Sequence, residues 1–274
     1  MKYKFVSRLF AMFITLALCI NAACAGDYED GQEAYVKRDY QVALIKFRNE
    51  AAQGNMNAQL AIGIMYEMGQ GVAKDNVEAA RWYKFAAAKG NAGAQFNLAS
   101  MYYHGRGVAV NVKEAVRLFK LAGEQGDQNA QVFLAVMYIN GDGINAQDVV
   151  EGVRWYKLAA AQGNADAQFH LGFMYNLARN GVAHDDVEAV RWYKLAAAQG
   201  NVDAQFYLAS MYFGGLGVAQ DYVRAHMWSN LASIRQQTFI LKRDAIASAM
   251  TPQQIAEAQK LATECQARNF KNCD

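Results

Sequence analysis

Glycine-polar pairs recur along this 274-residue chain at intervals of 36 or 37 residues, and no other feature limits its fold as strongly. Met-Tyr pairs follow the same period. A period of this length indicates an array in which each repeat is one supersecondary unit stacked on its neighbours. The recurring pairs are Gly54-Asn55, Gly90-Asn91, Gly126-Asp127, Gly163-Asn164 and Gly200-Asn201, and Met65-Tyr66, Met101-Tyr102, Met137-Tyr138, Met174-Tyr175 and Met211-Tyr212.

Each repeat contains two helical patterns with a turn between them. In the first pattern, Ala94, Leu98 and Met101 share one helix face, because they are spaced by four and three residues. Two repeats carry an extra residue between the patterns, which marks that region as an exposed loop. The turn is Gly-x-Gly in four repeats, at Gly69-Gln70-Gly71, Gly105-Arg106-Gly107, Gly141-Asp142-Gly143 and Gly215-Leu216-Gly217.

The second pattern begins with a helix-start signal. Asp75 is followed three residues later by Glu78, and three further repeats keep an Asp or Asn with this glutamate. The spacing predicts a capping box, in which the cap side chain accepts a free N–H and the glutamate bonds back to the cap. Further on, Trp82 stands between Ala79 and Ala86 at helical spacing, so we expect the tryptophan on the buried face.

Composition agrees with an all-helical chain. There is one proline, Pro252, against 22 glycines, and 53% of the residues are hydrophobic. Scarcity of proline permits long helices and disfavours a turn-rich β fold. Thr251-Pro252 predicts the start of a last helix, which would cover the open end of the array as terminal caps do.

The N-terminus resembles a secretory signal. Residues 1–25 combine a basic start, a short apolar run and the Ala23-Cys24-Ala25 cleavage motif, which predicts cleavage after Ala25 and export to the periplasm or the outside. A lipoprotein anchored through Cys24 is the weaker alternative. The apolar run is too short for a membrane span. Cleavage would leave 24 Lys and Arg against 25 Asp and Glu, which disfavours nucleic acid as a partner.

The expected mature chain keeps one cysteine pair, Cys265 and Cys273. In an exported protein such a pair predicts a disulfide, here closing a short C-terminal loop. The alternative is two free thiols on a frayed tail.

The repeats resemble the Sel1-like repeat (SLR) family, a relative of the tetratricopeptide repeats. The resemblance rests on runs such as AQFNLASMYYHGRGVAVNVKEAVRLFKLAGEQGD and RWYKLAAAQGN. It implies an all-α, right-handed superhelical solenoid of antiparallel helix pairs. The expected divisions are a signal peptide over 1–25, a tetratricopeptide-like repeat over 26–55, five Sel1-like repeats over 56–236, and capping helices with a tail over 237–274.

No motif for catalysis, metal or cofactor binding is evident. The four histidines show no metal-ligand spacing, and the Gly-x-Gly turns follow helices and lack the lysine of a phosphate loop. We therefore expect a non-enzymatic protein without a cofactor. The enzymatic alternative is β-lactam binding or hydrolysis, as reported for cysteine-rich members of the family, but here no repeat contains a cysteine.

Positions that vary between repeats are the better guide to function, because the repeated positions serve packing. On the first helix they form a stripe that is often aromatic or aliphatic. The resemblance implies that first helices line a concave groove, so we expect a protein or peptide partner there. The alternative is that these side chains only pack against second helices. The predicted groove residues are Asn97, Ser100, Tyr103, His104, Phe133, Val136, Ile139, His170, Phe173, Tyr207 and Phe213.

Overall fold

A computed structural model describes residues 26–142, 148–179 and 181–273. The predicted signal segment lies outside the described residues. The chain divides into two compact units, unit 1 up to Asp127 and unit 2 from Gln128. In unit 1 the helices are α1 (26–36), α2 (Tyr40–Ala52), α3 (Met56–Met68), α4 (Asn76–Ala88), α5 (Ala92–His104) and α6 (Val112–Glu124). In unit 2 they are α7 (Gln128–Asn140), α8 (Val149–Ala161), α9 (Ala165–Leu177), α10 (Asp186–Ala197), α11 (Val202–Gly214), α12 (Tyr222–Arg235), α13 (Ile240–Ala247) and α14 (Pro252–Ala267).

Consecutive helices pack in pairs. In unit 1, α3 packs with α4 and α5 with α6, while α4 also contacts α5. In unit 2, α7, α9 and α11 pack with α8, α10 and α12, and α13 and α14 both lie against α12. The described residues contain helices and no strand. The predicted fold class, an all-α array of helix pairs, is confirmed.

The helix-start signals work differently from the predicted capping box. The Asp75 side chain accepts from the Glu78 backbone N–H at 3.0 Å, as expected. The glutamate, however, turns to Arg81 one turn later, and the Asp75 N–H instead donates to the Tyr66 carbonyl at 2.9 Å. The same backbone bond joins Asp185 to Tyr175 at 3.0 Å. Because this carbonyl already accepts the hydrogen bond of the cap N–H, the glutamate side chain is not needed at the cap and pairs with arginine instead.

The expected first-helix core face is buried. Ala94, Leu98 and Met101 are at most 4% exposed, and the equivalent positions in other repeats behave alike. A buried glutamine on the same face bonds to the preceding helix pair: Gln95 Nε2 donates to the Ala87 carbonyl at 3.3 Å. In unit 2 Gln205 does the same to Ala197 at 3.3 Å. These bonds hold adjacent repeats in register.

The tryptophan prediction is only partly right. Trp155 and Trp228 are buried, whereas Trp82 and Trp192 are half-buried. The position one residue later is the more consistently buried one in the first four repeats, and it is aromatic in all of them. It holds Tyr83, Phe119, Tyr156 and Tyr193.

The C-terminal segment packs against the last helix pair. Thr251 caps α14 with a complete capping box, and Pro252 occupies its first turn. Cys265 is buried, its Cα lies 5.2 Å from that of Cys273, and the two sulfurs have disulfide geometry. Within the loop they close, the Phe270 ring receives the Arg235 guanidinium at 5.5 Å. The tail therefore packs on α12.

Candidate binding surface

The predicted groove residues are all at least partly exposed. In unit 1 they lie on α5, where His104 is exposed and the other three are half-buried; in unit 2 they lie on α7, α9 and α11, where Val136 is 37% exposed and the others are half-buried. Solvent therefore reaches each side chain, which a binding role requires. The unit 1 members are Asn97, Ser100, Tyr103 and His104, and the unit 2 members are Phe133, Val136, Ile139, His170, Phe173, Tyr207 and Phe213.

In unit 1 the surface carries a polar network. The buried Tyr83 hydroxyl donates to Glu67 Oε2 at 2.7 Å. Arg106 donates to Glu67 Oε1 and to Ser100 Oγ, each at 3.0 Å. The pKa of the Tyr83 hydroxyl is raised first by burial and then by the Glu67 carboxylate, while the Asn97 side chain opposes the rise. Most polar groups here are thus satisfied within the chain.

In unit 2 the same surface is aromatic. The Phe173 and Tyr207 rings meet edge to face with centroids 5.4 Å apart, and Phe169 lies 5.8 Å from Tyr207. The buried Tyr193 ring stacks on Tyr207 at 5.5 Å. We call Phe169, His170, Phe173, Tyr193 and Tyr207 the aromatic cluster. Such offset and tilted pairs are the favoured ring arrangements.

His170 lies at the edge of this cluster. Its ring stacks on Tyr156 at 5.1 Å and lies 5.3 Å from Phe169. Burial lowers the pKa of His170, while the carboxylates of Asp166 and Asp203 oppose that fall. The imidazole is therefore neutral at physiological pH and lies within the electrostatic reach of two carboxylates.

The remaining predicted groove residues lie outside the aromatic cluster. Phe213, at the end of α11, packs on Tyr222 at 5.4 Å and lies under the Lys242 ammonium at 5.1 Å. Phe133, Val136 and Ile139 lie on α7. In unit 1 the Tyr103 and His104 rings contact each other at 5.0 Å.

Sequence reasoning missed the tyrosines beneath the surface. Tyr83 and Tyr193 stand on second helices and reach the first-helix face beside a glycine. A Cβ on Gly172 would lie 2.7 Å from the Tyr193 ring, and one on Gly63 would lie 2.5 Å from the Tyr83 ring. The recurrence of a glycine opposite a tyrosine was the available signal. Glu67 and Arg106 were also missed as members of one network.

The described residues contain no group of three or more His, Cys, Asp or Glu side chains arranged to hold a metal ion. No helix among them has the length and apolar character needed to span a membrane.

The repeats match a known family. The sequence pattern of the Sel1 repeat matches residues 19–45, 57–91, 92–127, 128–164, 165–201 and 202–235, which is most of the chain. The chain belongs to the Sel1 repeat family. Repeats of this family are protein-interaction modules, and its members are generally non-enzymatic scaffolds. None of the proteins with curated descriptions matches the chain.

Solved Sel1 repeat structures agree with the fold. A Sel1 repeat protein from Oxalobacter formigenes is 32% identical, with a TM-score of 0.72 over 80% of this chain and 87% of that one. A protective antigen present in uropathogenic Escherichia coli strains, displaying an SLR fold, is 25% identical, with a TM-score of 0.52 over 91% of this chain and 70% of that one. Both similarities support the array of helix pairs.

Proposed function

We propose that this protein is a non-enzymatic scaffold that binds a peptide segment of a partner protein on the first-helix face of unit 2. The observation that carries the proposal is the aromatic cluster, whose Phe173 and Tyr207 rings remain partly exposed. Family membership supports a protein partner. Rigid aromatic side chains give large contact area at low entropic cost, which is why they dominate binding hot spots.

The surface of unit 1 supports a lesser part. Its polar side chains already bond to one another, so a partner would have to break those bonds to use them. We therefore assign the main contact to unit 2.

The test begins with capture of a partner by cross-linking in the producing cells, followed by measurement of its affinity for purified protein. Phe173→Ala and Tyr207→Ala should each weaken binding by about 1–3 kcal/mol. Leu195→Ala, which truncates a 43% exposed side chain on the second helix α10, is the matched control and should leave affinity unchanged. Binding that survives both aromatic truncations would show that the partner lies elsewhere.

We also propose that the protein works outside the cytoplasm. The signal-like segment at residues 1–25 and the cysteine pair support this, because disulfides persist in oxidising compartments. Cell fractionation followed by N-terminal sequencing should find the protein in the periplasm or the medium, beginning at Gly26. A cytoplasmic protein that keeps its first 25 residues would contradict the proposal.

The β-lactam hypothesis has a direct test. Incubation of the purified protein with a chromogenic β-lactam is expected to give no hydrolysis above the rate of buffer alone. Turnover that depends on protein concentration would contradict the non-enzymatic assignment.

A further inference from the structure

The first-helix face of unit 2 differs from that of unit 1 in charge as well as in aromatic content. One position in the first turn of the first helix is neutral in three repeats, as Asn57, Gly93 and Asn129, and acidic in the last two, as Asp166 and Asp203. Each aspartate lies four residues before a cluster residue, His170 or Tyr207. Residues four apart are neighbours on a helix surface, so each carboxylate borders the cluster.

The contact between adjacent repeats does not require the charge of Asp166. In unit 2, Asp166 Oδ1 accepts from Asn201 Nδ2 at 3.0 Å, which joins adjacent repeats. In unit 1 the neutral Asn57 makes the equivalent bond, accepting from Asn91 Nδ2 at 2.9 Å. An amide is therefore sufficient for the contact, and the extra negative charge of Asp166 is free for another purpose.

Both carboxylates act on the same cluster residue. Burial lowers the pKa of His170, and the carboxylates of Asp166 and Asp203 are the charges that oppose this fall. The buried Tyr193 hydroxyl lies elsewhere, because its equivalent in unit 1, Tyr83, bonds to Glu67, and the counterpart of Glu67 on α9 is Asn176, ten residues beyond Asp166. The two carboxylates therefore lie beside the His170 end of the aromatic cluster.

The aromatic rings and the two carboxylates together select one kind of ligand group. Aromatic faces attract cations, and arginine stacks on them more often than lysine does. Carboxylates accept charge-assisted hydrogen bonds from a guanidinium, whose five N–H groups can reach several acceptors at once. Planar shape, positive charge and multiple donors coincide in arginine.

We propose that unit 2 recognises an arginine side chain of the bound peptide, which stacks on the aromatic cluster and donates to Asp166 and Asp203. This inference rests on the proposed function and adds to it the chemistry of the partner. The chain itself shows that these rings accept a guanidinium, because Arg179 already lies over Phe173 at 5.3 Å.

The experiment selects binders from a random dodecapeptide library on the full-length mature protein and measures the affinity of the best peptide and of its Arg→Lys and Arg→citrulline versions. Citrulline keeps the shape of arginine and removes the charge. We expect arginine in the selected peptides, about tenfold weaker binding with lysine and a larger loss with citrulline.

The protein variants copy the chain's own neutral repeats. Asp166→Asn reproduces Asn57 and keeps the bond to Asn201, and Asp203→Asn removes the second charge. The double variant should bind the arginine peptide about tenfold or more weakly and lose its preference over citrulline. Leu195→Ala, at an exposed side chain on the second helix α10, is the control and should have no effect.

The outcomes separate the two proposals. Selected peptides that lack arginine but lose affinity with Phe173→Ala would overturn the arginine assignment and leave the binding surface intact. Arginine peptides that bind both aspartate variants as tightly as the original protein would overturn it as well. A library that yields no peptide dependent on Phe173 or Tyr207 would overturn the proposed function itself.

Discussion

The two units place different chemistry on the same repeated position. In unit 1 the buried Tyr83 hydroxyl has Glu67 as its acceptor, within a network that includes Arg106. In unit 2 the equivalent Tyr193 packs on Tyr207, and its hydroxyl has no hydrogen-bond partner among the residues that the structure describes. Packing of the second-helix tyrosine beside a glycine is common to both. The units differ in whether the neighbouring first helices supply an acceptor for the tyrosine hydroxyl or present aromatic side chains instead.

The comparison shows which side-chain positions of a repeat protein can vary between repeats. The glutamine bonds and the buried alanine, leucine and methionine positions recur because every repeat meets the same packing requirement. Side chains on the outer part of the first helix carry no such requirement. They can form an internal polar network in one unit and an open aromatic surface in the other.

The largest effect is expected from removing the buried ring of Tyr193, on which the aromatic cluster of unit 2 packs. Tyr193→Ala removes a fully buried ring that contacts Phe169 and Tyr207, and should lower the free energy of unfolding by about 3–5 kcal/mol. Urea unfolding followed by circular dichroism measures this. Leu241→Ala, at a side chain that is 81% exposed, is the control. A loss below 1 kcal/mol, of the size that surface substitutions give, would contradict the packing described for unit 2.

The next effect concerns the C-terminal cysteine pair, which lies in unit 2. If Cys265 and Cys273 are bonded, replacing both by alanine should lower the free energy of unfolding by about 2–3 kcal/mol, because the unfolded chain gains freedom. Reductant should destabilise the original protein by a similar amount and leave the double variant unaffected. Two titratable thiols in the denatured, unreduced protein would show that the pair is free.

A matched pair of variants addresses the comparison itself. Tyr83→Phe leaves Glu67 Oε2 without its donor, with Arg106 still on Oε1, and should lower the free energy of unfolding by about 1–3 kcal/mol, since the Glu67 side chain is only 15% exposed. Tyr193→Phe removes an unpaired hydroxyl and should be neutral or stabilising. Equal losses from both variants would mean that the Tyr193 hydroxyl has a partner.

The smallest effect is the pH dependence of unit 2. Burial lowers the pKa of His170 below its unfolded value, so the unfolded chain binds the proton more readily. Stability from the neutral imidazole is complete above the unfolded pKa near 6.5 and is lost as the pH falls below it. His170→Asn, which copies Asn97 of unit 1, should therefore lose less stability between pH 7 and pH 5. An equal loss in both proteins would place the pH dependence elsewhere.

Much of the fold follows from the sequence because it depends on local, repeated signals. The N-caps, the positive-φ glycines and the start of α14 at Pro252 are properties of neighbouring residues. The capping-box glutamates were predicted wrongly because their competing acceptor, a tyrosine carbonyl such as that of Tyr66, lies on the preceding helix across the connecting loop. The same reason hid Tyr193, whose environment is set by Gly172 and Tyr207 on two other helices.

The bond from each cap N–H to the tyrosine carbonyl has a consequence for how such chains change length. Tyr66 and Asp75 are joined across nine positions, whereas Tyr175 and Asp185 are joined across ten, with almost the same donor-acceptor distance. The loop between the two helices of a repeat is thus held at both ends by this hydrogen bond. It can lengthen without disturbing the helices that flank it. Duplicated repeats can acquire new connectors independently, and an engineer could graft a foreign epitope there while preserving the array.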